Sequence, residues 1–220
     1  MREIHLTADD WSARAEAYRN ATEQREGEDL DLIVEWARGA RTALDVATGG
    51  GHVARRLREA GLEVVTVDPA PGMTPDVICP AEHLPFADVS FDLVVTRIAP
   101  HHFSDIALAV GEMARVAREW LVVEDTLYES EQVEEAEKLR DPTHIRSYSE
   151  PEWRSFLDAV GVEVEQVEIV EKRHPLDAWL ARTETNEADA ARVRDLLTDY
   201  IEGGHYVDRK ILLLGRKAAR

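Results

Sequence analysis

Cysteine is almost absent from this 220-residue chain: Cys79 stands alone. That excludes an intrachain disulfide and a four-cysteine zinc site, and it points to a reducing compartment, the cytoplasm. Lysine is scarce as well, with Lys138, Lys172, Lys210 and Lys217 its only four positions, and no block of five basic residues occurs. Lys and Arg number 26 against 44 Asp and Glu, a formal net charge of −18. Such a chain repels a phosphate backbone, so nucleic acid is not an expected partner. No run approaches the roughly 18 apolar residues that cross a bilayer, and the opening MREIHLTADDW lacks the apolar stretch of a secretory leader. Neither membrane insertion nor export is expected. With hydrophobic residues at 44% and only 12 Gly and 9 Pro, the chain has the composition of a single folded globule.

What is present alternates. Trp11, Ala15 and Tyr18 fall at i, i+4, i+7, and Leu30, Ile33, Val34 and Ala37 at i, i+3, i+4, i+7, which predicts two helices ending near Gly27 and Gly39. The apolar run 42–46 enters three glycines, 52–60 carries the stripe Val53, Leu57, Ala60 closed by Gly61, and 64–67 is a second apolar run. Strand, helix and strand in that order imply a crossover between parallel strands. Further strands are expected at 76–79, 91–96 and 120–123, with a helix over 104–118 on Ile106, Val110, Met113 and Ala117. Ser149 and Glu152 form a capping-box pair ahead of Trp153, Phe156, Leu157 and Val160, and Gly161 is the stop. A strand over 162–170 changes face near Glu165 and Gln166, as at a bulge or an edge. It is followed by a helix carrying Val193, Leu196, Leu197, Tyr200 and Ile201, and by a strand at 210–214. Five glutamates within 129–137 read as a solvated helix face. The alternation assigns the α/β class.

The most informative stretch is Ala43-Leu-Asp-Val-Ala-Thr-Gly-Gly-Gly-His-Val-Ala54. A strand that ends in glycines and opens a helix lets a ligand approach the backbone and meet unpaired N–H groups. Gly49 to Ala54 formally satisfies G-x-G-x-x-G/A, and Asp68 ends the next strand, as in a dinucleotide-binding protein. Asp45 weighs against that ligand, because an unpaired carboxylate beside the glycine turn repels a pyrophosphate and favours a cationic group. Asp68 suits the two ribose hydroxyls of any nucleoside. The alternative for Asp45 is a satisfied strand-end carboxylate that caps the turn.

Four stretches carry a resemblance: Leu44-Asp-Val-Ala-Thr-Gly-Gly-Gly-His52, Val67-Asp-Pro-Ala-Pro-Gly-Met73, Ala81-Glu-His-Leu-Pro-Phe-Ala-Asp-Val-Ser-Phe-Asp92 and Thr96-Arg-Ile-Ala-Pro-His-His-Phe103. Together they resemble the class I S-adenosylmethionine-dependent methyltransferases, in the small-molecule branch that includes the quinone-biosynthesis enzymes. The resemblance implies a Rossmann-like fold with a mostly parallel seven-stranded sheet of order 3-2-1-4-5-7-6, flanked by helices. It implies one domain over 1–220, with N-terminal lid helices over 1–39, a cofactor-binding core over 40–125, a lid insertion over 126–148 and the C-terminal part of the sheet over 149–220. The implied cofactor is S-adenosylmethionine and the implied partner a small organic methyl acceptor, methylated on O, N or C by a monomer or homodimer.

Carried over residue by residue, Asp45, Ala47, Gly49 and Gly51 line the methionine end and Asp68 holds the ribose. Met73 packs on the adenine, Ala81 and Glu82 edge it, Ile98 with Ala99 meets the cofactor at a strand end, and Tyr18 closes over it. For Met73 the alternative is core filler, and for Tyr18 a packed helix aromatic. The chain departs from the family between the ribose acid and the adenine loop, where 69–80 has room for no more than one helical turn. Pro80 also stands where an acid commonly meets the adenine amine, and Arg118-Glu119 leads straight into Trp120.

His101 and His102 follow the fourth strand at the carboxyl edge of the sheet, where open α/β sites form, and neutral imidazole suits proton removal. His144 is a third candidate base. Arg146 is the candidate clamp for an acceptor carboxylate or phenolate, with Tyr148 beside it. The alternatives are a capping or surface histidine pair, and a salt-bridge network through Asp141, His144 and Arg146. Without H-x-x-x-H or a cysteine partner, no metal site is expected. The rival function is an S-adenosylmethionine-binding protein that senses the cofactor or catalyses a non-methylating reaction, and a nicotinamide oxidoreductase ranks last.

Overall fold

The computed structural model describes residues 11–12, 15–16, 19 and 25–218. Five strands run parallel: β1 (Thr42–Val46), β2 (Glu63–Asp68), β3 (Val77–Ile78), β4 (Phe91–Arg97) and β5 (Ala117–Thr126). The long strand β6 (Val162–Pro175) lies at the far edge, paired antiparallel with β8 (His205–Lys217), which joins β5 antiparallel. The order β3-β2-β1-β4-β5-β8-β6 is the expected one once a short strand, β7 (Ile201–Glu202), is set aside. Among the described residues that strand makes eight where seven were expected. Gly203 and Gly204, at φ 55 and 78, form a two-residue hairpin turn that folds the end of the preceding helical stretch back onto β8.

Side chains alternate along each strand, so successive residues feed two cores. Leu44, Val46, Val94, Val123 and Leu213 face one side, packed against helices α3 (Ile106–Val116) and α5 (Glu150–Ala159). Ala43, Leu93, Val95, Val122 and Leu212 face the other, under α1 (Glu28–Trp36) and α2 (His52–Glu59). Leu30, Ile33 and Trp36 thus place α1 on the flank of the sheet. A third cluster joins α4 (Glu131–Arg140), α6 (Leu176–Ala181) and α7 (Glu187–Leu196) around Tyr206.

Several local signals are realised as read. Glu152 accepts from the Ser149 backbone N–H (2.9 Å) and hydroxyl (2.7 Å) at the start of α5. The register of β6 slips between Val164 and Gln166. Between β2 and β3 a single 3-10 turn (Pro71–Met73) remains. Three readings are corrected. The helix expected to carry Tyr200 and Ile201 ends at Leu196: Thr198–Tyr200 is a 3-10 turn, and Ile201 is extended and pairs with Tyr206. The helix expected over 104–118 stops at Val116, because Ala117 is extended (ψ 138) and pairs with Phe91, so β5 starts before Arg118. The glutamate run is not wholly solvated: Glu134 and Glu137 are buried, where His144, Arg140 and Tyr206 supply donors. Among the described residues no helix is long and apolar enough to cross a membrane.

Candidate functional site

The carboxyl ends of β1, β2, β4 and β5 meet where the strand order reverses between β1 and β4, the place where open α/β sheets form their crevice. Asp45, one residue from the end of β1, is fully buried. Its Oδ2 accepts from the Thr48 hydroxyl (2.6 Å) and the Ala54 backbone N–H (3.1 Å). The expectation of an unpaired anion is therefore corrected, since this carboxylate also ties the glycine turn to the first turn of α2. Burial pushes its pKa up to about 6, with the bonds from Thr48 and Ala54 working against the rise.

Asp68 ends β2 and accepts from Gly49 N–H (3.0 Å) and Ala70 N–H (2.9 Å). Burial raises its pKa too, against those two bonds. The Gly49 amide that would cradle a phosphate in a dinucleotide site is thus committed to a carboxylate. Gly51 has φ 73 and starts α2, a conformation that suits glycine. Among the described residues five with side chains share that rarity, and two of them line this site: Ala47 at φ 56 and Ile98 at φ 52. A β-branched residue at positive φ costs on the order of 1–3 kcal/mol and persists only where surroundings enforce it. Ile98 is held by its N–H on Glu124 O (2.8 Å).

These groups open on a cavity of about 310 Å³. Asp45, Ala47, Gly49, Asp68 and Met73 line one side. Ala81, Glu82, Ile98, Ala99 and His102 line it as well, with Pro80 and Phe103. Glu82 is fastened to the start of α3, accepting from the Ser104 N–H and hydroxyl (both 2.8 Å) and the Asp105 N–H (3.2 Å). Gly51 shapes the turn without lining the cavity. Tyr18 lies outside the described residues. Trp11, legible in the sequence only as part of a helix stripe, lines the cavity with its ring edge-on to His102, 4.9 Å between centroids. Ser12 Oγ accepts from Gly72 N–H (2.9 Å), which seats this segment over the Pro71–Met73 turn.

The three candidate histidines stand together: His101 is 4.0 Å from His102 and 5.2 Å from His144 between ring centroids. Their partners separate them. The Thr143 hydroxyl donates to Asp141 Oδ1 (2.6 Å), so its oxygen and the Thr143 carbonyl both accept from His102 Nδ1, at 3.1 and 3.0 Å. The hydrogen is thereby placed on Nδ1, and Nε2 keeps its lone pair. Burial lowers the His102 pKa, with the charge of His101 next, so the ring is neutral at pH 7. His101 Nδ1 is 2.5 Å from Asp125 Oδ1. Burial pulls that imidazole well below its usual range and pushes Asp125 up to about 7. His144 Nε2 is 3.2 Å from both Glu134 oxygens. Neither His144 nor Arg146 nor Tyr148 lines this cavity or the smaller one beside it: the exposed Arg146 pairs with Glu152 and lies over the Tyr148 ring (5.2 Å), which packs on Trp153.

A second cavity of about 60 Å³ shares Arg97, Ile98 and His102 with the first. Sequence reasoning missed Arg97, Arg140, His174 and Lys210 in its wall, and Asp125 behind His101. The ends of β4 and β5 were the available signal for Arg97 and Asp125. For Lys210 it was one lysine opening an apolar strand.

A methyltransferase-domain family model matches residues 44–120. The uncharacterized methyltransferase YcgJ of Bacillus subtilis (strain 168) is 32% identical over 212 residues, covering 86% of this chain and 83% of that protein. The demethylmenaquinone methyltransferase of Beutenbergia cavernae is 36% identical over 92 residues, 37% of this chain and 38% of its own. The crystal structure of a candidate methyltransferase (BH2331) from Bacillus halodurans C-125 superposes with a TM-score of 0.78 at 26% identity, over 88% of this chain and 100% of that one.

Proposed function

The chain belongs to the class I S-adenosylmethionine-dependent methyltransferases, and from that premise we propose that it transfers the methyl group of S-adenosylmethionine to a small organic acceptor. The observation that carries the reading is the pair of carboxylates, Asp45 and Asp68, at adjacent strand ends in the wall of one cavity, with Gly49 N–H spent on Asp68. Those residues fit the cofactor: Asp45 offers charge to an ammonium group and Asp68 offers lone pairs to ribose hydroxyls. Met73, Ala81 and Phe103 offer apolar surface to a flat base. When bound, S-adenosylmethionine supplies an electrophilic methyl on a sulfonium.

The chain's own part is to hold the acceptor atom and, where the acceptor must lose a proton, to take it. His102 is placed for this, since its Nδ1 is tied to Thr143 and the ring lines both cavities. His101 and Asp125 stand behind it as a positioning pair. The demethylmenaquinone methyltransferase relative supports a small organic acceptor. The lone Cys79 agrees with a reducing compartment, the cytoplasm.

The test is isothermal titration of the full chain with S-adenosylhomocysteine and, separately, NADH. Micromolar binding of the former alone is expected, and binding of NADH alone overturns the reading. Asp68→Ala removes two charge-assisted bonds and should weaken S-adenosylhomocysteine by roughly 1.5–3 kcal/mol, about 10- to 100-fold.

A further inference from the structure

The chain carries −18 overall, yet Arg97, Arg140, Lys172, Arg182 and Lys210 all line the small second cavity. Three acids line it too, Glu137, Asp141 and Asp208, and each accepts from named donors. Asp208 accepts from Lys210 (2.5 Å) and His174 Nε2 (3.2 Å), Asp141 from the Thr143 N–H and hydroxyl, and Glu137 from Tyr206 and Arg140.

The cations divide differently. Arg97 and Lys172 are drawn onto Asp29, at 2.5 Å each. Arg140 uses two of its five N–H donors, at the long distances of 3.3 Å to Trp179 O and 3.4 Å to Glu137, while its guanidinium lies 4.2 Å over the Trp179 ring. Lys210, itself buried, gives two of its three N–H bonds, to Thr126 and Asp208. His174 is buried and its Nδ1 has no partner. Because Nε2–H serves Asp208, Nδ1 is an acceptor awaiting a hydroxyl. Arg140 and Lys210 therefore each keep N–H donors for a further acceptor in this cavity.

We propose that this cavity holds a carboxylate of the methyl acceptor, gripped by Arg140 and Lys210, with the rest of the acceptor reaching past Ile98 and His102 into the larger cavity. A volume of about 60 Å³ suits one such group or a few waters, not a whole substrate. The shared wall at Ile98 and His102 then sets the reacting atom between the anchor and the cofactor cavity. The assignment rests on the methyl-transfer reading.

The experiment compares formate, acetate and benzoate with formamide, acetamide and benzamide by titration into the full chain saturated with S-adenosylhomocysteine. Chloride and phosphate at matched ionic strength are the inorganic arm. Benzoate is expected to bind at least about tenfold more tightly than benzamide. Arg140→Gln should lose about tenfold of that affinity and Arg140→Lys should restore most of it, while Arg154→Gln, an exposed arginine paired with Glu150, changes nothing. Benzamide binding as well as benzoate, benzoate binding unchanged in Arg140→Gln, or no benzoate binding would each overturn the proposal. Phosphate or chloride outcompeting benzoate would likewise assign the cavity to an inorganic ion. Titration of S-adenosylhomocysteine on the same samples reads the cofactor separately, so failure of the anchor and failure of the methyl-transfer reading are distinguishable.

Discussion

The role proposed for Asp45 and its burial pull in opposite directions. To attract an ammonium group it must be ionised, yet burial pushes its pKa up to about 6. The folded protein thus holds this proton more tightly than the unfolded chain, where the value is 3.8, and the residue's contribution to stability grows as pH falls from above 6 toward 4. Cofactor affinity runs the other way and should drop about tenfold per pH unit below 6. Titration of S-adenosylhomocysteine across that range checks this, with Asp45→Asn expected to be weak and flat throughout. The role proposed for His102 makes a different demand, an orientation more than a charge. Replacing His102 by glutamine should cost about 100-fold or more in kcat while S-adenosylhomocysteine affinity changes by less than about threefold. A loss of affinity with kcat intact would assign His102 to the cofactor instead.

Among the elements, α5 shows how a local cap serves a distant site. Its Trp153 is fully buried and stacks edge-on with Tyr148 (5.6 Å), and Tyr148 is joined to β5's continuation through the bridge with Leu127. The segment carrying Thr143 and His144 therefore hangs between α4 and α5. Ser149→Ala removes the hydroxyl from the cap and should cost about 1 kcal/mol. Thermal denaturation should show that as a Tm lower by about 2–4 °C. An unchanged Tm would mean that the core under Trp153 alone sets this helix. The strand ends act similarly: Ile98 keeps its positive φ because its N–H is tied to the β5 carbonyl of Glu124 beside it.

For the whole molecule, buried charge decides how the fold meets acid. Asp29 is held at about 2 because Arg97 and Lys172 together outweigh its burial, and Glu134 at about 2 because His144 and Lys138 do the same. Both stabilise the fold above their ordinary values of 3.8 and 4.5 and lose that contribution as pH falls toward 2. Glu124 and Asp125, each raised by burial to about 7, contribute like Asp45 and favour the fold as pH drops from 7 toward 4. His101 and His102 oppose them below 6.5, since burial keeps both neutral. Partial neutralisation of the −18 charge also relieves self-repulsion. Calorimetry across pH should find a Tm between about pH 5 and 6 no lower than at about pH 7.5, then a steep fall below about pH 4. A Tm that declines steadily from neutrality would show that the histidines outweigh the raised acids.

What the sequence by itself determined is everything that depends on near neighbours. The alternation of strand and helix, the glycine turn with Asp45 before it, Asp68 at the next strand end, the capping box and the bulge in β6 are each set by residues within a turn or a strand pair of one another. Only the tertiary structure decided which charges meet. His102 finds Thr143 41 positions away, Arg97 finds Asp29 68 positions away, and Lys210 reaches Thr126 across 84. Arg140 and Lys210 line one cavity, and Arg146, the more conspicuous arginine in the sequence, does not. The register of β8 against β5 and β6 makes those choices, and register follows from the burial of a whole sheet face rather than from any local spacing.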